Sequence, residues 1–270
     1  MAGQKHQVIV VTGASSGLGA AICSHLVAEN HVVYGTGRKW STEESVSGLH
    51  RLRLDLTDPA SIEAAINIVL DKHGRIDVLI NNAGIGIQGP IEDLSTKDLL
   101  AAFDTNVFGI HRMLQAVLPG MRQTRSGKII NISSIAGNMG LAYRSVYSAC
   151  KSAVNRYSES LQQEVSEWGI TVCVVEPGDF QSNIAGSRIR PDQISTAYQD
   201  GYQKCMTKLD RQMNHAPPPD AIVNRIVAIV ATDSPRFTNR VGQPLEKLAV
   251  HLQYWLPTRT FLRLLKKFSE

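Results

Sequence analysis

Tyr147 and Lys151 stand four positions apart in SVYSACKSA, residues 145–153. On a helix that spacing stacks them one turn apart on one face. A free tyrosine has a pKa of about 10 and is a poor proton donor or base at neutral pH. A cation one turn away favours the phenolate and is expected to lower that pKa. The pair is therefore a candidate acid/base. An isolated YxxxK is more often a half-buried tyrosine beside a solvated lysine, so the rest of the chain has to decide.

A second stretch with chemical content is TGASSGLG, residues 12–19. It follows an apolar run and opens a helix-period segment. Gly13, Gly17 and Gly19 allow a tight turn and close approach of the backbone to a pyrophosphate. The helix that follows then presents unpaired N–H groups and the positive end of its dipole to that charge. Ser15, Ser16 and Leu18 belong to the same loop.

The elements around these residues repeat. Apolar runs at 7–13, 31–37, 49–56, 76–84, 128–134 and 170–178 read as strands. Segments 17–29, 59–73, 96–122, 145–168 and 218–232 read as helices, the second of them capped by Asp58 and opened by Pro59. A late strand is placed over EKLAVH, residues 246–251, and helical pieces with a mobile flap over about 185–220. Short apolar strands alternating with helices predict an α/β fold, a doubly wound parallel sheet covered on both faces. With no repeat and no linker, the expectation is one domain over 1–270. Such sheets bind ligands at the carboxyl ends of their strands.

The ordered motifs TGxxxGxG, NNAG (81–84), SS (133–134) and YSACK (147–151) together resemble the classical short-chain dehydrogenase/reductase family over about residues 7–184. The loops look most like its hydroxysteroid and retinol dehydrogenase and carbonyl reductase branch. The resemblance implies Ser134, Tyr147, Lys151 and Asn106 as the catalytic set, with Ser133 the alternative if the serine spacing is off by one. Tyr147 would move the proton and Lys151 would hold its pKa down and bind the nicotinamide ribose. Ser134 would orient the substrate oxygen, and Asn106 would hold a relay water. Asp55, with Leu56 beside it, would meet the adenine ring. Asn81, Ala83 and Gly84 would pass the adenosine, Asn81 also steadying the sheet. Pro177, Gly178 and Ser182, from PGDFQS, would close over the carboxamide.

The second strand ends in YGTGRK without the acidic residue that takes ribose hydroxyls in NAD-preferring relatives. Arg38, with Lys39 as a second contact, instead suits a ribose phosphate, so NADP(H) is expected ahead of NAD(H). Ile85, Ile87, Met139, Leu141 and Tyr143 are crevice candidates for a lipophilic ketone, aldehyde or alcohol, or are ordinary loop packing. The competing reading is a non-catalytic NADP(H)-binding regulator or scaffold, which would have no need of the intact Ser, Tyr and Lys.

The bulk numbers bound the partners. Net charge is +4, and Arg259, Arg263, Lys266 and Lys267 against Glu270 give the last thirteen residues +3 of it. The body is nearly neutral, so no nucleic-acid footprint is expected. Four scattered cysteines and eight histidines show no metal-ligand spacing. A strand within eight residues of the start leaves no room for an apolar signal core, so a cytoplasmic protein is expected. The basic, apolar tail at 258–270 is amphipathic as a helix. It packs on its own domain or a neighbouring subunit, or touches anionic lipid. The resemblance implies a homodimer or homotetramer through the helices at 96–122 and 145–168.

Overall fold

A computed structural model describes residues 6–41, 43–181 and 188–269. Its sheet contains eight strands: β1 (Val8–Val11), β2 (Val32–Gly37), β3 (Glu43–Val46), β4 (Leu49–Arg53), β5 (Val78–Asn81), β6 (Gly127–Ile132), β7 (Ile170–Pro177) and β8 (Thr238–Val241). Their spatial order is β3-β4-β2-β1-β5-β6-β7-β8, and only the β3–β4 pair is antiparallel. Strand order reverses at β1, which pairs with β2 on one side and β5 on the other. Open parallel sheets form their ligand crevice at such a reversal.

Period-two alternation feeds two separate cores. Val8 and Val10 of β1 point into one, and Ile9 and Val11 into the other. The first face is covered by α2 (Pro59–His73), α4 (Gly109–Thr124) and α5 (Ser145–Val165), and the second by α1 (Gly17–Ala28) and α7 (Asp220–Ala231). The start of α2 follows its sequence signals: the Asp58 carboxylate accepts the Ala60 N–H at 3.0 Å, and Pro59 opens the helix.

The structure corrects the element reading in four places. β3 is an edge strand that polar EESV does not announce. The strand expected over 49–56 ends at Arg53. The helix expected over 96–122 is α3 (Thr96–Phe103) and α4, joined by a π-turn at Asp104–Phe108. EKLAVH is not a strand but lies within α8 (Pro244–Trp255). There Pro244 sits at the first turn and Gln243 and Glu246 form a reciprocal cap, a helix start that outweighs the apolar alternation.

Across 185–220 the described residues are dominated by α6 (Gln199–His215). The tail is α9 (Thr258–Ser269), which buries Phe261 and Leu265 against its own domain and leaves Leu262 and Leu264 outside. No helix among the described residues is long and apolar enough to cross a membrane.

Candidate active site

The glycine loop is stitched to the β5 loop. Thr12 Oγ1 accepts the N–H groups of Asn82 and Ala83, both at 3.0 Å. Asn82 Nδ2 donates back to the carbonyls of Thr12 (2.9 Å) and Gly13 (3.2 Å). Gly13 is required there twice over. Its φ is +68°, and a β-carbon would stand 2.8 Å from the Ala83 backbone. Asn82 was not singled out in the sequence. Asn81, which was, points the other way: it is 2% exposed and donates to Asn131 Oδ1 at 2.8 Å inside the sheet layer. Strand alternation sends successive side chains to opposite faces, so only one of the two asparagines can reach the loop.

The site fits a dinucleotide. Ser16 at the start of α1 makes no side-chain cap, so the first-turn N–H groups stay open. A β-carbon on Gly17 would meet nothing within 4 Å, so a shallow cradle lies directly in front of them. Ser15 and Ser16 are exposed at its edge, and Leu18 lines the adjoining cleft. Arg38 and Lys39 are exposed in the turn after β2. Asp55 is held by the Thr57 N–H (2.9 Å) and hydroxyl (2.8 Å), and these bonds, with the Arg38 charge, lower its pKa. The side chain of Leu56 packs into the core rather than toward the crevice. Ser182 lies outside the described residues.

The remaining groups meet in a cleft of about 920 Å³, measured out to its open mouth. Ser134, Tyr147, Lys151, Asn106, Gly84 and Gly178 all line it. β6 delivers the serines, and alternation separates them. Ser133 is 3% exposed and donates to the Lys151 carbonyl at 3.1 Å, a structural bond. Ser134 caps a short 3₁₀ turn at Ile135–Asn138, contacts the Pro177 carbonyl at 3.4 Å and lines the cleft beside Tyr147.

α5 carries Tyr147, Lys151 and Asn155 on one face at four-residue steps. Asn155 ties that face to β7 by donating to Glu176 at 3.0 Å, and Glu176 in turn holds Arg240 at 2.7 Å. Lys151 is 6% exposed; its ammonium donates to the Ile132 carbonyl at 2.8 Å and lies 5.9 Å from the centre of the Tyr147 ring.

The electrostatics differ from the sequence expectation. The Tyr147 phenol is held above its usual pKa, first by burial. The Ser134 hydroxyl and the charges of Arg144 and Arg188 work against that rise. Burial pushes Lys151 down to about 8. Burial outweighs the one-turn cation because Lys151 shares the same desolvated wall and directs its proton at a carbonyl. The phenol is thus kept protonated, as a donor.

Asn106 sits in the π-turn, 1% exposed. Its amide accepts the Ile85 N–H and donates to the Ile85 carbonyl, both at 2.9 Å. Those two bonds position the Gly84–Ile87 loop, and such turns within helices often mark functional sites. Of the apolar crevice candidates, Ile85 and Ile87 line the cleft, joined by Phe180, Leu209 and Met213. Met139, Leu141 and Tyr143 do not; Tyr143 packs edge-on against Tyr202 of α6.

A short chain dehydrogenase family model matches residues 7–193, the span that carries all of these groups. The chain belongs to the short-chain dehydrogenase family. A 3-ketodihydrosphingosine reductase of Bacteroides thetaiotaomicron is 39% identical over 253 residues, covering 93% of each chain. Human retinol dehydrogenase 8 is 32% identical over 269 residues, 90% of this chain and 84% of the relative. A solved short-chain dehydrogenase from Streptomyces avermitilis superposes with a TM-score of 0.82 at 33% identity, covering 98% and 97% of the two chains. Solved members of the same fold hold NADP in some cases and NAD in others. Oxidoreductase chemistry is what this chain shares with its family.

Proposed function

We propose that the protein is an NADP(H)-dependent reductase of lipophilic ketones, with Tyr147 as the proton donor. The observation that carries this reading is the placement of Tyr147 together with Ser134 and Lys151 in a cleft walled by Ile85, Ile87, Phe180, Leu209 and Met213. When bound, the nicotinamide supplies the hydride. The protein's part is to bind the substrate oxygen between Ser134 and Tyr147 and to pass it the phenolic proton. Lys151, as an ammonium, stabilises the negative charge that develops on the phenol oxygen. Asn106 fixes the loop that forms one wall. The sphingoid and retinoid names of the two relatives are consistent with a long apolar substrate. Assembly as a homodimer or homotetramer through α4 and α5 fits the half-exposed Phe108 and Tyr157 on that surface.

Arg38 supports NADP(H) over NAD(H), since an exposed guanidinium at the end of β2 can pair with a ribose phosphate and no carboxylate follows Gly37 there. Arg38→Ala is expected to raise KM for NADPH about tenfold and to leave KM for NADH nearly unchanged. Initial rates of reduced-nicotinamide consumption with a medium-chain ketone test this. Equal rates with NADH and NADPH in the unaltered protein would contradict the NADP(H) assignment.

The ionisations predict a pH profile. Lys151 is charged below about 8 and loses its proton above it, while Tyr147, raised, stays protonated throughout. The kcat/KM for NADPH, which reports the unliganded enzyme, should therefore be flat near neutrality and fall as pH rises through about 8. A rate of reduction that climbs through that range would contradict these roles.

A further inference from the structure

Two arginines in the cleft enter the account so far only as charges near the Tyr147 phenol. Arg144 immediately precedes α5, three residues before Tyr147, and Arg188 lies C-terminal to β7; both line the cleft beside the phenol. Neither guanidinium has a carboxylate within ion-pair distance among the described residues. Among the described residues, Arg144 Nε and Arg188 Nη1 are buried without a hydrogen-bond partner, as is Oε1 of the neighbouring Gln88. A buried donor on a charged group is costly to leave unpaired.

Arg188 is also held in place. Ile189 forms a strand-like bridge with Ile87: Ile189 N–H donates to the Gly86 carbonyl and Gln88 N–H to the Ile189 carbonyl, both at 2.9 Å. The aliphatic stem of Arg188 lies so close over Gly86 that a β-carbon there would be 2.8 Å from Cγ. Arg144 and Arg188 repel one another, Arg190 adds to the repulsion, and Asp210 opposes it in part; Asp179 also faces the cleft. Two like charges fixed in a partly desolvated wall, with open donors, form a seat for an anion.

We propose that Arg144 and Arg188 bind an anionic group of the substrate, a carboxylate or a phosphate, so that the enzyme selects acidic ketones. This rests on the ketone-reductase reading of the same cleft. Arg144 immediately precedes α5, Tyr147 lies in the first turn three positions on, and both side chains line the cleft. The anion therefore belongs a few carbons from the carbonyl, with the apolar remainder of the substrate against Ile85, Leu209 and Met213.

The test compares 4-oxo and 5-oxo long-chain acids with their methyl esters and with the matching amino ketones, and runs keto alkyl phosphates alongside. The expected result is a kcat/KM for the acid or the phosphate at least tenfold above the ester, with the amine poorest. R144Q and R188Q should each reduce the acid-to-ester ratio about tenfold. Whichever of carboxylate and phosphate gives the higher ratio identifies the anion. Equal rates for acid and ester, or a ratio unmoved in both variants, would overturn the proposal. If no ketone is reduced, the ketone-reductase reading fails separately. The anion seat is then read by calorimetry of the NADP complex with a non-reacting long-chain carboxylate or alkyl phosphate. Binding weakened about tenfold by R188Q supports the seat, and no binding of either probe overturns it.

Discussion

Replacing Tyr147 with phenylalanine lowers kcat/KM for ketone reduction by about 10²–10⁴-fold, the usual contribution of a positioned general acid. The substitution removes only the phenolic oxygen. The ring remains to pack against the cluster of Ile87, Leu94, Ala102, Val146 and Cys150, so the melting temperature should move little. The cofactor cradle at Thr12–Gly19 is built by other residues, and NADPH binding, followed by fluorescence titration, should largely survive. Ser134 keeps its bond to the Ala136 N–H at 3.1 Å and its place beside the substrate oxygen. The residual rate is then what orientation and hydride transfer achieve without a proton donor. A variant that retains more than about a tenth of the activity, given that range for a general acid, would mean that another group, or water, delivers the proton.

The second large effect is on stability and lies at the opposite end of the sheet. Lys128 on β6 is 7% exposed, and its ammonium donates to the carbonyls of Ile229, Val230 and Thr232 at 2.7, 2.8 and 2.6 Å. These are carbonyls at the end of α7, which a helix cannot satisfy itself. The cation also meets the negative end of the helix dipole. Lys128→Met keeps the stem and removes the three donors; among the described residues this leaves the buried Val230 carbonyl unpaired and the Ile229 carbonyl with only the long Thr232 N–H contact at 3.4 Å. We expect a loss of about 2–4 kcal/mol and a melting temperature lower by roughly 5–12 °C, read by thermal denaturation. Activity at low temperature should persist, because the catalytic groups leave the sheet at its other edge. A shift below about one degree would mean that water satisfies those carbonyls at little cost.

The parallel sheet was legible because its signal is redundant. The central buried strands are apolar runs followed by Gly, Asn or Ser, and some helix starts have a local cause such as Asp58-Pro59. The candidate set could be placed in one cleft from the sequence because helical and strand periods fix much of its geometry. Four residues bring Lys151 under Tyr147, and alternation makes Ser134 face the cleft when Ser133 does not. The same alternation could have assigned Asn82 rather than Asn81 to the glycine loop.

Other features depend on contacts distant in sequence. EKLAVH becomes helical because Glu246 both caps α8 and accepts the Asp179 N–H at 2.9 Å, so α8 is fastened to the loop after β7. The ionisation of Tyr147 is decided by burial, which spacing does not reveal. Arg144 and Arg188 are forty-four positions apart and come to one cleft because β7 ends and α5 begins there. Neither lies in a motif.

The most direct test of the central claim follows a single atom. NADPH deuterated at the transferable position is mixed with a long-chain ketone and the enzyme, and the alcohol is analysed by mass spectrometry. One deuterium at the carbinol carbon, formed by the unaltered protein and at a rate reduced at least a hundredfold in Y147F, is the predicted result. An enzyme that binds NADPH tightly yet transfers no deuterium to any ketone in the acid, ester and phosphate series would contradict the reductase assignment and favour a nucleotide-binding role without catalysis.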